Sequence, residues 1–323
     1  MNRKQLAGAV LVAALPVSFW LVLVSGEVAI SPSEIFAILA ERLSGGESQG
    51  VRSAILWDVR FPRALTAFAT GAALACSGVI FQGLLLNPLA EPYTLGVATG
   101  AALGASIAIT FQLPGITIFA FAGSLLTLIL VWGLGRSSSG RIDPTRLILA
   151  GVIISSILGS GITLLKVLAG QQVAVIVLWL LGSFTMASWN HVALSMAAGL
   201  AVLFLGLFFW RDLDVIASGA SPASLGVDED RVRITLLLAC SLATSVVVSM
   251  SGVIGFVGLV APHLLRLTVG PGHGHLLPLS WLGGGLLLLM ADAGARSLGE
   301  LPVGVLTALI GGPLFCWLLW RGR

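Results

Sequence analysis

The chain has 323 residues, of which 57% are hydrophobic and only 10% charged. An ordinary soluble domain has about 25% charged residues, so this chain cannot clothe a water-facing surface, and a soluble globular enzyme is excluded. Disorder is excluded as well, because it needs low hydrophobicity and high net charge, whereas the formal net charge here is +3. What remains is a polytopic all-α membrane protein. A transmembrane barrel would show short alternating segments in place of long apolar runs. The small positive charge does not point to nucleic acid, and arginines flanking membrane segments account for much of it.

Charged residues divide the chain. The first apolar run covers residues 5–26, after Arg3 and Lys4. It is too long for a signal-peptide core and no clear cleavage site follows, so it is expected to remain as a first span. Residues 27–60 carry five acids, Glu27, Glu34, Glu41, Glu47 and Asp58, and form the longest hydrophilic stretch, expected as a loop. The second span is expected over 64–86. Two more lie between Glu91 and Arg136, split at Gln112-Leu113-Pro114-Gly115. A fifth covers 147–168. The piece 173–187 is too short to cross and suggests a half-helix. The sixth span occupies 192–210, and the charged segment 211–233 follows. Residues 234–265 hold one full span, broken near Ser251-Gly252, and a short one. Spans at 276–292 and 302–320 complete a total of ten.

Basic residues at both termini favour an even number of spans with both ends inside. Ten spans place Arg3, Lys4, Arg136, Arg141, Arg146, Arg211, Arg231, Arg233, Arg266, Arg321 and Arg323 inside, which is 11 of the 17 basic residues. Arg42, Arg52, Arg60, Arg63, Lys166 and Arg296 fall outside.

Small residues at four-residue spacing let helices approach closely in lipid. Gly96, Gly100 and Gly104 form one such row, and Gly151, Ser155 and Gly159 another. Each row is either a packing face or a smooth pore wall. A weak internal repeat accompanies them. Ser77-Gly78-Val79-Ile80 ends the core of the second span, and Ser251-Gly252-Val253-Ile254 that of the seventh. A Gly-Leu pair and then a proline follow in both. Copies in oppositely directed spans are the mark of inverted-repeat transporters.

The chain has no phosphate-binding Gly-x-x-x-x-Gly-Lys-Ser/Thr loop, no Gly-x-Ser-x-Gly elbow and no His-Glu-x-x-His pair. No catalytic residue, cofactor or resident metal is expected. Cys76, Cys240 and Cys316 lie far apart in apolar runs and are expected as packing residues. His273-Gly274-His275 is either a metal pair or a solvated turn. Lys166 is expected to snorkel to the interface, and Asp292 and Arg296 to form an i,i+4 pair. Two segments stand out. Asn87-Pro88-Leu89-Ala90-Glu91-Pro92 is a double-proline break that serves as a hinge or a plain helix end. Segment 211–233 mixes both charge signs with Leu213, Val215, Ile216, Leu225 and Val227, as short helices against a cytoplasmic partner would.

These stretches resemble the permease subunits of ABC importers for iron chelates, haem and cobalamin. The likeness is carried by Arg60-Phe61-Pro62-Arg63, Gly71-Ala72-Ala73-Leu74, Gln82 through Pro92, Leu95-Gly96-Val97 and Leu149-Ala150-Gly151-Val152. It continues through Ser224-Leu225-Gly226-Val227, residues 255–263, Ala291-Asp292 with Arg296, and Glu300-Leu301-Pro302-Val303-Gly304. The resemblance implies a single transmembrane domain over residues 1–323, with the type II importer fold of inverted half-repeats. It implies a homodimer in the bacterial inner membrane, two cytoplasmic ATPase subunits and an extracytoplasmic binding protein. It assigns Arg60 and Arg296 to binding-protein docking. It assigns Leu213, Val215, Ile216, Ala217, Ser224, Leu225, Gly226 and Val227 to ATPase coupling, and Asn87, Pro88, Leu89, Pro144 and Thr145 to an inner gate. Pro144 stands where the family often has a small polar residue. The first expectation for cargo is an iron(III)-siderophore, followed by haem or cobalamin. The rival class is an ion-coupled secondary transporter, which would need titratable groups near the bilayer midplane.

Overall fold

The structure is a computed structural model that describes residues 3–26, 28–44, 50–135, 143–219 and 222–321. Arg136, Arg141, Arg323, Glu27, Glu47 and residues 220–221 of the charged segment lie outside the described residues. All described regular structure is helical.

Helix α1 (Arg3–Val24) is the first span. The stretch expected as a loop is largely helical, which corrects the reading of 27–60. Helix α2 (Pro32–Leu43) is amphipathic and starts at a capping box, in which Ser31 and Glu34 satisfy each other's backbone N–H groups. Helix α3 (Val51–Ala54) passes through a π-helical turn (Ile55–Arg60) into α4 (Phe61–Leu84). The second span therefore begins well before Ala64, and it ends at Leu84, close to the expected 86.

Beyond α4 come α5 (Val97–Thr110), α6 (Ile116–Gly135) and α7 (Pro144–Leu168). The expected half-helix is present as α8 (Val173–Leu180), and it stops short of 187. Helix α9 (Trp189–Phe208) leads into the short α10 (Trp210–Ala217) and a 3-10 turn (Pro222–Leu225). The chain ends with α11 (Glu229–Ser251), α12 (Val257–Val269), α13 (His273–Ser297) and α14 (Val303–Arg321). Among the described residues, seven helices are long and apolar enough to cross a bilayer alone, the one through α4 counted with its π turn. The further apolar helices α5, α12 and α14 bring the number to the expected ten.

A repeat is visible in the lengths. Helices α4 to α7 have 24, 14, 20 and 25 residues, and α11 to α14 have 23, 13, 25 and 19. Each set is a long helix, a short one, then two long ones. In both sets the chain unwinds before the short helix. The α11–α12 break falls at Gly252, whose φ of 73° suits glycine, while Phe256 takes φ 68° as the residue before α12.

Helix α4 is the axis of the bundle and is buried along nearly all its length, whereas in α1 only Val22 and Leu23 are buried. Glycine makes its packing possible. A Cβ on Gly71 would sit 2.3 Å from the Gly284 carbonyl oxygen, and one on Gly78 would sit 2.0 Å from that of Gly258. Backbones touch there, as small residues permit in lipid. The Gly100 and Gly104 row packs the same way on Gly123 and Phe119 of α6. The second row divides. Gly151 meets the Thr94 carbonyl, whereas Gly159 faces open space.

Candidate functional site

Three constellations lie along the bundle. The first gathers where α1, α3–α4 and α13 end, around a cavity of about 600 Å³ bordered by Arg60, Arg63, Arg296 and Glu300. Arg63, from the first turn of α4, grips Asp292 of α13. Its Nε lies 3.0 Å from Oδ2 and its Nη2 3.0 Å from Oδ1, while Nη1 reaches Glu300 at 2.9 Å. The Asp292 side chain is 1% exposed and that of Arg63 9%, so this is a buried fork-on-carboxylate pair. Arg296 stands further from Asp292, at 3.6 Å. The expected i,i+4 pair thus exists but is secondary, because Arg63 holds Asp292 from across the bundle.

Arg60 and Arg296 share another task. Arg60 is 5% exposed and donates to the carbonyls of Leu23, at 2.6 Å, and Val28. Arg296 donates to Val22 at 3.3 Å and Ser25 at 3.5 Å. Together they cap the last turn of α1, where carbonyls lack helical partners and a cation also suits the helix dipole. Three cations face two carboxylates here, so the cluster keeps an excess of one positive charge.

The second constellation is the charged segment. Leu213 and Ile216 of α10 are buried, at 0% and 3%, in the chain's own core. They anchor α10 to the bundle and are not offered to a partner. Val215 is half-buried, Ala217, Ser224 and Gly226 are exposed, and Val227 is half-buried. Leu225 is 60% exposed and remains for an outside surface. Asp214 Oδ1 accepts two hydrogen bonds from His273, from its Nδ1 at 2.6 Å and its backbone N–H at 2.9 Å. His273 is 3% exposed, which corrects the picture of His273-Gly274-His275 as a solvated turn. Its Nδ1 is taken by Asp214.

The third is the loop between α4 and α5. Asn87 Oδ1 accepts from the Leu89 N–H at 2.9 Å, a tight turn that leaves Leu89 and Pro88 exposed. The chain then folds back beside α4, because Pro92 lies under Gly258, next to Leu74 and Gly78. Glu91 accepts from the Phe256 N–H, and Tyr93 Oη donates to the Ile254 carbonyl at 2.9 Å. Burial pushes the Glu91 carboxyl up to about 7. The break before α5 is therefore laced to the break before α12. Pro144 and Thr145 open α7 under an Asp143 cap. The contact of α7 with this loop runs through Gly151 and Ser155, nearly two turns further along.

Sequence reasoning missed Arg63, Asp214, Glu91 and Tyr93 as individual actors. Arg63 and Glu91 lay within quoted motifs and Asp214 within the segment 211–233, whereas Tyr93 lay in none, and their partners sit 59 to 237 residues away in the chain.

Comparison with known proteins places this geometry. The FecCD transport family model matches residues 14–321. The hemin transport system permease protein HmuU of Yersinia pestis is 41% identical over 83% of this chain and 84% of its own length. The Fe(3+) dicitrate transport system permease protein FecD of Escherichia coli is 41% identical over 83% of this chain and 86% of its own. A solved inward-facing structure of a putative metal-chelate type ABC transporter covers 98% of this chain and 99% of its own, with 31% identity and a TM-score of 0.84. With these spans, this pattern of breaks and these matches, the chain belongs to the FecCD transport family and is a multi-pass ABC transporter permease.

Proposed function

We propose that this chain carries an iron(III) chelate of the siderophore class across the bacterial inner membrane. It works as a homodimer, with both termini cytoplasmic, two ATPase subunits against the Leu225 side of the α10 region and a binding protein at the arginine end. The permease supplies a path and a coupling surface, and ATP hydrolysis belongs to the partner. The observation that carries this reading is the pairing of an anchored α10, with Leu225 left exposed beside it, with a basic cavity at the far end of α13. Their separation is a helix length, about 37 Å for the 25 residues of α13. Asn87, Pro88 and Leu89, with Pro144 and Thr145, form the inner gate. Dimerisation would place the exposed face of α7, with Ser156, Gly159 and Thr163, along the path.

Iron chelates are favoured because several relatives are iron permeases, among them an iron chelatin permease of Helicobacter pylori. Haem is the second reading, on the strength of the hemin permease at 41% identity. The tagged chain should co-purify from its native membrane with an ATPase at one copy per permease. Proteoliposomes of that complex, given its binding protein, should take up ferric siderophore in preference to hemin. Uptake of hemin alone would replace the cargo. Uptake that ignores ATP and follows the proton gradient would replace the mechanism.

Arg60 and Arg296 are the docking residues in this reading, and acidic side chains of the binding protein compete with the α1 carbonyls for them. The double charge reversal Arg60→Glu/Arg296→Glu should weaken binding-protein affinity at low salt. Unchanged affinity in a folded double variant would remove the assignment.

A further inference from the structure

Helices α4 and α13 run antiparallel and are fastened to each other at three heights. At one end the His273 ring lies against Gly83, where a Cβ would come within 2.7 Å of Nε2. In the middle Gly71 and Gly284 bring the backbones together, with a Cβ on Gly284 2.6 Å from the Gly71 carbonyl oxygen. At the other end Arg63 clamps Asp292 with three N–H contacts of 3.0 to 3.2 Å. Pro278 removes the helical hydrogen bond to the Gly274 carbonyl and makes a soft point in α13. The first two fastenings bracket it.

Helix α10 grips this pair at its first fastening. Asp214 Oδ1 takes both hydrogen-bond donors of His273, the opening residue of α13. Beside it the Trp210 ring covers Gly274, where a Cβ would meet the ring at 3.1 Å. His273 Nε2 has no hydrogen-bond partner among the described residues, so the bond to Asp214 is the one hydrogen bond of the buried ring there. At the far end Arg296 leaves α13 to cap α1 at the cavity.

We propose that α4 and α13 move as one bar, and that the Asp214–His273 hydrogen bond is the joint through which α10 drives that bar to the arginine cavity. Asp214 and His273 are positioning residues, acting through α13 on Arg63, Asp292 and Arg296. A shift at α10 cannot be taken up within the pair without breaking a buried fastening, so it emerges at the cavity. The alternative route is through the chain itself, from α10 into α9 and α11. The proposal rests on the chain being an ATPase-driven permease.

The test uses the full chain purified with its own ATPase and reconstituted in liposomes. A spin label is placed at the exposed Ser297, at the end of α13, by Ser297→Cys in a Cys316→Ser background. In the parent, trapping with ATP and vanadate should change the label spectrum. His273→Ala should still hydrolyse ATP, yet lose the spectral change. Its ATP consumed per chelate moved should rise at least about fivefold, the lower edge of a typical coupling. His273→Asn, whose side-chain N–H stands in for that of Nδ1, should restore both readouts to within about twofold of the parent. Asp214→Ala removes that side-chain bond together with the backbone one, from a half-exposed position, and should repeat the alanine result if His273→Ala does not assemble.

A normal spectral change in either alanine variant would assign transmission to α9 and α11 and overturn the proposal. Loss of the ATPase on purification would make the pair a docking element and overturn it too. So would an asparagine variant that behaves as alanine, since ring packing would then be the cause. A parent that binds no ATPase at all would remove the functional reading itself, which the parent controls detect before any variant is compared.

Discussion

Removing the Asp292 carboxylate tests the buried clamp most directly. Asp292→Ala deletes three hydrogen bonds and leaves the Arg63 guanidinium, 9% exposed, facing only Glu300. Breaking a buried ion pair from one side costs about 3–5 kcal/mol, because a charge is left without compensation. Glu300 remains 2.9 Å from Nη1 and its side chain is 46% exposed, so it supplies a partner that water partly screens. The lower end of the range is therefore expected, about 3 kcal/mol, or roughly a hundredfold in the folded-to-unfolded ratio. Denaturant unfolding of the purified chain in mild detergent measures it. The double variant Arg63→Met/Asp292→Leu, which fills the same space with apolar atoms, should recover most of the loss. An Asp292→Ala cost below about 1 kcal/mol, or a double variant as unstable as the sum of its parts, would refute the clamp as a buried, coupled pair.

Leu213→Ala should destabilise the chain by about 2–5 kcal/mol, the range for large-to-small changes in a packed core. Leu225→Ala should stay within about 0.5 kcal/mol of the parent while lowering the ATPase recovered on purification. Gly78→Val should prevent a folded product in a detergent fluorescence profile, since a Cβ there would overlap the Gly258 carbonyl oxygen at 2.0 Å. Glu91, raised by burial to about 7, binds its proton more tightly folded than unfolded. Its stabilising contribution is full below about 4.5 and is lost as pH rises through about 7. Glu91→Gln should flatten the stability curve over that window, and an unchanged slope would exclude Glu91 as its source.

Most spans were legible because charges bracket apolar runs of membrane length, and lipid makes hydropathy the dominant signal. The stretch 27–60 was misjudged because its acids outweighed its pattern. Yet Ser31-Pro32-Ser33-Glu34 spells a capping box with proline at the first helical position, and Ile35, Ile38 and Leu39 share one face. Asp292 was paired with Arg296 because helical spacing reveals only neighbours. Its stronger partner, Arg63, is 229 residues distant. The same limit hid Asp214, whose role depends on the first turn of a helix 59 residues on. Leu213 and Ile216 were recognised as apolar residues with a purpose, but sequence could not show that the surface they cover is the chain's own.

The lacing of residues 91–95 to residues 254–256 has a consequence for how the protein is made. Tyr93 and Ile254 are 161 residues apart, so the ribosome needs about 8–30 s to supply the second partner after the first, at roughly 5–20 residues per second. During that interval the Tyr93 hydroxyl and the Glu91 carboxyl lack the partners that Ile254 and Phe256 later supply. The amino-terminal repeat is an unfinished product until the carboxy-terminal one arrives. Something, whether the insertion machinery or interfacial water, must shelter Glu91 and Tyr93 in the meantime.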